Sequence, residues 1–364
     1  MRIESLTMAA LVIAACAVPA RATTDDEAPQ WAERSDAVAA PQGLAGIDID
    51  NPRGTVVLRP SADGRIHVTA IKICRLPGAD QARRYAAQTR VHAGIEAGRY
   101  RVRVEYPPRI DAHLSLWNVF SEHGRRQFGR PAIEVRLTVD VPARLPVQTT
   151  TVSGDVTSDD LPGAQTVSST SGDVVARGAS GAVSVRTVSG DVSLEGPARA
   201  EVHTSSGDVG AAGASALAAT TSSGDIEVRD ARGALDLRSE SGDVSVGQAP
   251  AGLTASSSSG EVLVRGASGR VHVTTQSGDV RVWLKGPLSG AELSSASGDV
   301  WAELAGGMGA TLEAESTSGA IDCRGAFQVI DHGPNHLRAR VGAGGAAIRM
   351  NTVSGGLTVT SGGM

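Results

Sequence analysis

The sequence is short of aromatic residues, with 3 Phe, 3 Tyr and 4 Trp in 364 positions. A compact core normally leans on such rings, each burying roughly 150–250 Å². Any core here must therefore be built from Val, Leu, Ile and Ala. Basic residues are not in excess either. Lys and Arg total 34 against 39 Asp and Glu, giving a net charge of −5 and a pI near 5.9. That balance speaks against a nucleic-acid partner, which calls for a basic surface. No apolar run reaches the ~18 residues of a membrane span. Hydrophobic content of 41% with 20% charged residues argues against disorder of the whole chain. Cysteine is scarce. Cys16 falls in the leader, leaving Cys74 and Cys323 as two separate thiols or as one bridge that sequence cannot assign.

What is present begins with an export leader. Arg2 precedes the apolar run Met8 to Val18, and Pro19 precedes Ala20-Arg21-Ala22, a small-x-small cleavage pattern that places the mature start between Ala22 and Thr23. A second reading competes. Ile13-Ala14-Ala15-Cys16 resembles a lipobox, which would leave a lipidated Cys16 and a membrane tether. Residues 23–42 then read as a flexible acidic linker.

Glycine is abundant, with 44 residues, and much of it sits in one recurring Ser-Gly-Asp tripeptide. Its Gly-acid pairs are Gly154-Asp155, Gly172-Asp173, Gly190-Asp191, Gly207-Asp208, Gly224-Asp225, Gly242-Asp243, Gly260-Glu261, Gly278-Asp279 and Gly298-Asp299, with Ala320 and Gly356 in the acidic place of the last two copies. From 155 to 320 the spacings are 18, 18, 17, 17, 18, 18, 18, 20 and 21, the signature of a solenoid. One and three positions after the acid stand apolar pairs such as Val192/Leu194, Ile226/Val228 and Val280/Val282. Eight and six before it stand pairs such as Val183/Val185, Leu235/Leu237 and Val271/Val273. Alternation of this kind marks half-buried strands. The second offset holds through every change of spacing, so length variation falls between the two strands, in turns such as Lys285–Gly290.

The tripeptide corner is itself patterned. Four before the acid the residue is always Ser or Thr, and two before it is always Ser. Both share parity with the preceding apolar pair, so both are expected to face inward, with the parity switch at Gly-Asp. The hydroxyls should form ladders bonded along the stacking axis, and each Asp should make a local Asx-type bond. Stacked carboxylates near 5 Å repel by roughly 1 kcal/mol per pair in water. Arg177, Arg229 and Arg265, four positions further on, are expected to ease this.

Residues 43–150 read as a degenerate version of the same design. Ile47/Ile49 and Val56/Leu58 keep the offsets around Thr55, and Ile66 and Val68 supply the next strand. A short helix runs from Ala79 to about Arg90, followed by strands at Arg101–Glu105 and Ala132–Val141. The loop 107–131 holds Trp117, Phe120 and Phe128 among Arg125, Arg126 and other arginines. It is either a flap over the end of the solenoid or an aromatic and arginine contact surface. Ala347–Val359 forms the terminal coil, less protected than the N-terminal end.

The strings of the type Thr187-Val188-Ser189-Gly190-Asp191-Val192 carry a family resemblance. Over roughly residues 40–364 the chain resembles a bacterial family of unassigned function described as candidate adhesins and similar to autotransporter adhesin heads. The resemblance implies an all-β, single-stranded parallel β-solenoid of about 18-residue coils attached to a cell surface. It supplies no catalytic residues.

Chemistry is sparse. A calcium column on Asp173, Asp191, Asp208, Asp225 and Asp243 is the alternative to plain turn residues, but the calcium-binding solenoid pattern needs a nine-residue Gly-Gly-x-Gly-x-Asp period. The same acids could serve a sugar-cleaving enzyme, yet the coils from 150 to 320 carry almost no insertions to wall a cleft. Gly342–Ala347 matches a dinucleotide string without the strand–helix unit it requires. Asp331, His332, His336 and Cys323 read as a surface loop rather than a metal site. The sequence thus predicts an exported non-enzyme without cofactor or metal, either an adhesin or an envelope scaffold. Its partner would be a surface glycan or protein, and its membrane contact only a lipid on Cys16. A self-assembling, end-to-end envelope polymer and a carbohydrate-active enzyme are the alternatives.

Overall fold

Strands that alternate apolar and polar residues must bury every second side chain, and the computed structural model of the protein shows how they do so. It describes residues 14–16, 31–76, 79–107 and 133–362. Their regular elements are β-strands, with one helix among the described residues, Ala79–Gln88. They divide into two compact units, residues 1–164 and 165–364.

The second unit is a parallel β-solenoid with two strand columns per coil. In the first column Val174, Val192, Val209, Ile226, Val244, Val262, Val280 and Val300 lie in register on successive coils. In the second, Val183, Ala200, Leu217, Leu235, Leu253, Val271 and Ala291 do the same. A single coil encloses only a few aliphatic side chains, each worth about 1.5–3 kcal/mol when fully buried. Stacking turns these into one continuous core, which is why the repeats stand together. Register shifts between neighbouring coils are confined to Val264–Arg270, away from the tripeptide corner.

Two features of the coil differ from the sequence expectation. The Ser two before the acid is exposed, at Ser171, Ser189, Ser206 and Ser223 alike. The chain therefore turns immediately after the buried Ser or Thr, two residues earlier than expected, and Gly returns to the interior. The variable corner, in turn, is not a loose loop. Gly178, Gly196, Gly213 and Asp230, five after the acid, share a positive φ of 50–76°. The residue that follows is a buried alanine at Ala179, Ala214 and Ala231.

The order of coils also departs from chain order at the end. Strand Val300–Leu304 pairs in parallel with Leu357–Ser361, which pairs in turn with Ile321–Arg324. The other column repeats this: Val280–Ser295 pairs with Ala346–Thr352, and that with Ala310–Ser316. The last coil of the sequence is thus slotted between the coils of Asp299 and Ala320. It is not the terminal coil. Beyond Ala310–Ser316 the direction reverses, with His336–Val341 antiparallel to it and Phe327–His332 antiparallel to that.

The first unit uses the same device. Strands β1 (Ala14–Cys16), β2 (Trp31–Ala39), β3 (Ile47–Asp50), β4 (Val56–Pro60) and β5 (Ile66–Cys74) precede helix α1 (Ala79–Gln88). Strands β6 (Arg90–Glu96), β7 (Arg99–Glu105), β8 (Ile133–Val141), β9 (Val147–Thr150) and β10 (Val156–Asp159) follow it. The coil β3–β4 lies between β7–β8 and β9–β10, all parallel. Strand β5 buries Ile66 and Val68 as expected but runs antiparallel on β8, so it closes the stack rather than extending it. Strand β2 is antiparallel on β5, and β6 on β7. Helix α1 presents Ala82, Tyr85 and Ala86 at helical spacing to Cys74 and Ile133.

Candidate functional site

The Ser-Gly-Asp corner is best understood by asking where its backbone hydrogen bonds go. Each corner Gly N–H donates to the Ser or Thr hydroxyl three residues earlier, as at Gly190 to Thr187 and Gly224 to Thr221, over 2.7–3.2 Å. From Thr221 onward that hydroxyl also donates to the Gly carbonyl of the preceding coil. Thr221 bonds Gly207, Ser239 bonds Gly224, Ser257 bonds Gly242 and Thr275 bonds Gly260, at 3.0–3.4 Å. The hydroxyl ladder is therefore axial as expected, but it runs hydroxyl to backbone rather than hydroxyl to hydroxyl.

The acids complete the pattern. The N–H of Asp191, Asp208, Asp225, Asp243 and Glu261 each donates to Oδ1 of the Asp one coil before, Asp173 through Asp243, at 2.8–3.0 Å. Asp299 bonds Asp279 in the same way, and Gly356 bonds Asp299 at 2.7 Å. At Asp191, Asp208, Asp225 and Asp243 the side chain takes the backbone N–H one coil away in place of the expected local Asx bond. Each carboxylate thus meets an N–H dipole that offsets the repulsion between stacked charges. Glu261 is a fault in the ladder. Its longer side chain instead pairs with Arg281, which also bonds Asp279 at 3.0 Å. Arg229 lies 3.5 Å from Glu227 rather than serving the acid column.

Glycine is compulsory at this corner. A Cβ at Gly190, Gly207, Gly224, Gly242, Gly260, Gly278 or Gly298 would collide with the carbonyl oxygen of the equivalent glycine one coil before. Gly172 donates to Ser169 and is buried. In the first unit Gly154 bonds Thr151, a Cβ there would strike Gly54, and Asp155 accepts the N–H of Val56 through its carbonyl. At the corner of β3–β4, buried Asn51 stands in the hydroxyl position. Its amide donates to Val135 O at 2.8 Å and Gly54 O at 3.3 Å, and Tyr106 donates to its Oδ1 at 2.9 Å.

The acid column is solvent-exposed, and one oxygen of each ladder Asp is committed to an N–H. Among the described residues no three His, Cys, Asp or Glu side chains converge as metal ligands. Asp331 and His336 form an exposed pair at 3.1 Å. Burial, with Asp322 beside it, pushes the Cys323 thiol up to about 11. Both Cys74 and Cys323 are free thiols. The loop residues Trp117, Phe120, Arg125, Arg126 and Phe128 and the cleavage residues Ala22 and Thr23 lie outside the described residues, as does the side chain of Cys16.

The outward face of the first strand column holds what sequence reading passed over. Trp283 and Trp301 sit on adjacent coils, each at an outward-pointing position between buried neighbours. Their ring centroids are 4.6 Å apart with planes at 64°. A signal was available: the second unit has only three aromatic residues, and two of them fall on the polar parity of their strands. A groove of about 720 Å³ lies elsewhere in this unit, lined by polar residues including Glu315, Asn335, His336 and Asn351.

No curated protein matches the chain. Among solved structures, a candidate cell adhesion protein from Clostridium sporogenes aligns with 91% of this chain and 100% of its own at 8% identity, with a TM-score of 0.21. A candidate adhesin from Bacteroides fragilis aligns with 90% of this chain and 96% of its own at 12% identity, with a TM-score of 0.33. A candidate lipid binding protein from Parabacteroides distasonis gives the same coverages and identity, with a TM-score of 0.31. Residues 198–360, which hold the coils from Asp208 to the slotted C-terminal strand, match the family model described as Toastrack DUF4097.

Proposed function

We propose that the chain is an exported, non-enzymatic β-solenoid that acts as an adhesion module or surface scaffold of the cell envelope. The observation that carries this reading is the placement of the large rings. In a unit with an aliphatic core, Trp283 and Trp301 are displayed on a regular sheet face, where a ligand would meet them. Trp is enriched at such contact positions. Export is supported by the leader pattern ending at Ala22 or Cys16. The equivalence of the ladder acids supports a structural task, since acid–base catalysis needs two groups held in different environments.

The test is to express the full chain, fractionate the cells, and read the N-terminus by mass spectrometry while probing intact cells with added protease. A chain starting at Thr23 or at acylated Cys16, and cleaved from outside, fits the proposal. Retention in the cytoplasm with Met1 intact contradicts it. Glycan hydrolysis abolished by replacing Asp208, Asp225 and Asp243 with Asn would overturn the non-enzymatic part.

End-to-end self-assembly is a second reading, favoured by strand Phe327–His332. Among the described residues it pairs on one side with His336–Val341, and Val329 and Ile330 are 55% and 53% exposed. Unprotected strand edges of this kind recruit further strands. Light scattering that stays monomeric up to high concentration removes this reading.

A further inference from the structure

We infer that Trp283 and Trp301 form a saccharide-binding platform, the point at which the proposed surface module grips a pyranose ring; this rests on the surface reading above. Across four neighbouring coils the outward residues form two rows. One runs Leu263, Arg281, Trp301, Thr358, and the other places Trp283 beside Glu303 and Thr360. The two indoles meet edge to face, 4.6 Å between centroids and 64° between planes. One ring then serves as a floor and the other as a wall.

A pyranose has an apolar face of C–H groups and a rim of hydroxyls. The patch has the matching layout. Its aromatic centre is bordered by Glu303 as acceptor, Thr358 and Thr360 as donors or acceptors, and Arg281, which also pairs with Glu261 and Asp279, as a donor through its remaining N–H groups. A protein partner would want a broader apolar centre, since stable interfaces bury about 800 Å² per side around an apolar core. Here only Leu263 extends the apolar surface. Apart from Val175 near the start of the column, the other outward residues are polar or small, as at Ser193/Glu195, Gly210/Ala212, Glu227/Arg229 and Ser245/Gly247. The scaffold beneath is rigid, because each Trp lies between buried residues of the core column, Val282/Leu284 and Val300/Ala302. Little ordering is therefore left for binding to supply.

The experiment titrates the purified full chain with chitohexaose, cellohexaose and mannohexaose, following tryptophan emission and heat. At least one hexaose should give a saturable change. Trp283→Ala and Trp301→Ala should each weaken it at least about tenfold, roughly 1.4 kcal/mol, with Trp283→Phe weakening it less. His203→Ala, on the other strand column, should leave it unchanged, and none of the variants should lower the melting temperature appreciably. No saturable change with any hexaose overturns the inference, as does binding that survives both Ala variants. A protein ligand lost in Trp283→Ala while no hexaose titrates would also overturn it. Each of these results leaves the surface location, read from the N-terminus and protease access, to stand or fall separately.

Discussion

The two corners of each coil in the second unit do the same job by different chemistry. At the Ser-Gly-Asp corner, side chains complete the hydrogen bonding: a hydroxyl takes the Gly N–H, and a carboxylate takes the next acid's N–H one coil away. At the opposite corner the backbone bonds coil to coil by itself, as Gly196 N–H to Ala212 O at 2.9 Å and Gly213 N–H to Arg229 O at 3.1 Å. Where side chains close the ladder, residue identity is fixed and the tripeptide is repeated. Where the backbone closes it, as in the coils of Asp173 to Asp225, a left-handed residue is followed by a small buried one, residue identity is looser and length can vary.

Substitutions can break this comparison, the largest effect first. Gly224→Ala forces a Cβ into Gly207 O and should cost about 3 kcal/mol or more, the upper range for overpacking. Denaturant unfolding measures it. Thr221→Val strands both the Gly224 N–H and the Gly207 carbonyl. It should cost about 1–3 kcal/mol, while Thr221→Ser, which copies Ser239 and Ser257, should be nearly neutral by the same assay. Gly213→Ala, at a φ of 67° on the other corner, should cost about 1–2 kcal/mol. Gly213→Asp should be milder, because Asp230 already holds that conformation. Asp225→Ala removes one ladder acceptor and should cost about 0.5–1.5 kcal/mol. Asp225→Asn keeps an Oδ1 acceptor and should be close to wild type.

The first unit adds a pH dependence, centred on one carboxylate. Burial pushes the Glu134 carboxyl up, but bonds from Arg75 at 2.8 Å and Arg136 at 3.1 Å outweigh it and hold the group below its ordinary value. A depressed carboxylate contributes stability above its unfolded pKa of about 4.3 and loses it as pH falls through the folded value. Glu134→Gln should therefore melt below wild type at pH 7, with the gap closing as the pH is lowered past that range.

Much of this was legible in the sequence. The strand columns follow from the offset of Val271/Val273 and Val280/Val282 around their acids, and the helix from the break after Leu76. The coil exchange was not legible, because Ser316 and Thr352 carry the same corner pattern and either could follow Ser295. Pairing decides it: Thr352 bonds Gly298 and Ser316 bonds Gly355. The exposure of the second Ser was hidden for a related reason. Parity arguments hold only while the chain stays extended, and it turns one residue after Thr187 or Thr221. Trp283 and Trp301 were overlooked because the period-2 reading attended to the apolar parity, and both rings sit on the other one.

The side-chain ladder is the central claim, and backbone amide exchange by NMR on wild type and Asp208→Ala tests it most directly. The account predicts that the Asp225 amide, bonded to Asp208 Oδ1 at 2.8 Å, is protected in wild type. It should lose that protection in Asp208→Ala and keep it in Asp208→Asn, while the Val209 amide stays protected in all three. An Asp225 amide that exchanges freely in wild type, or that is equally protected in Asp208→Ala, would contradict it.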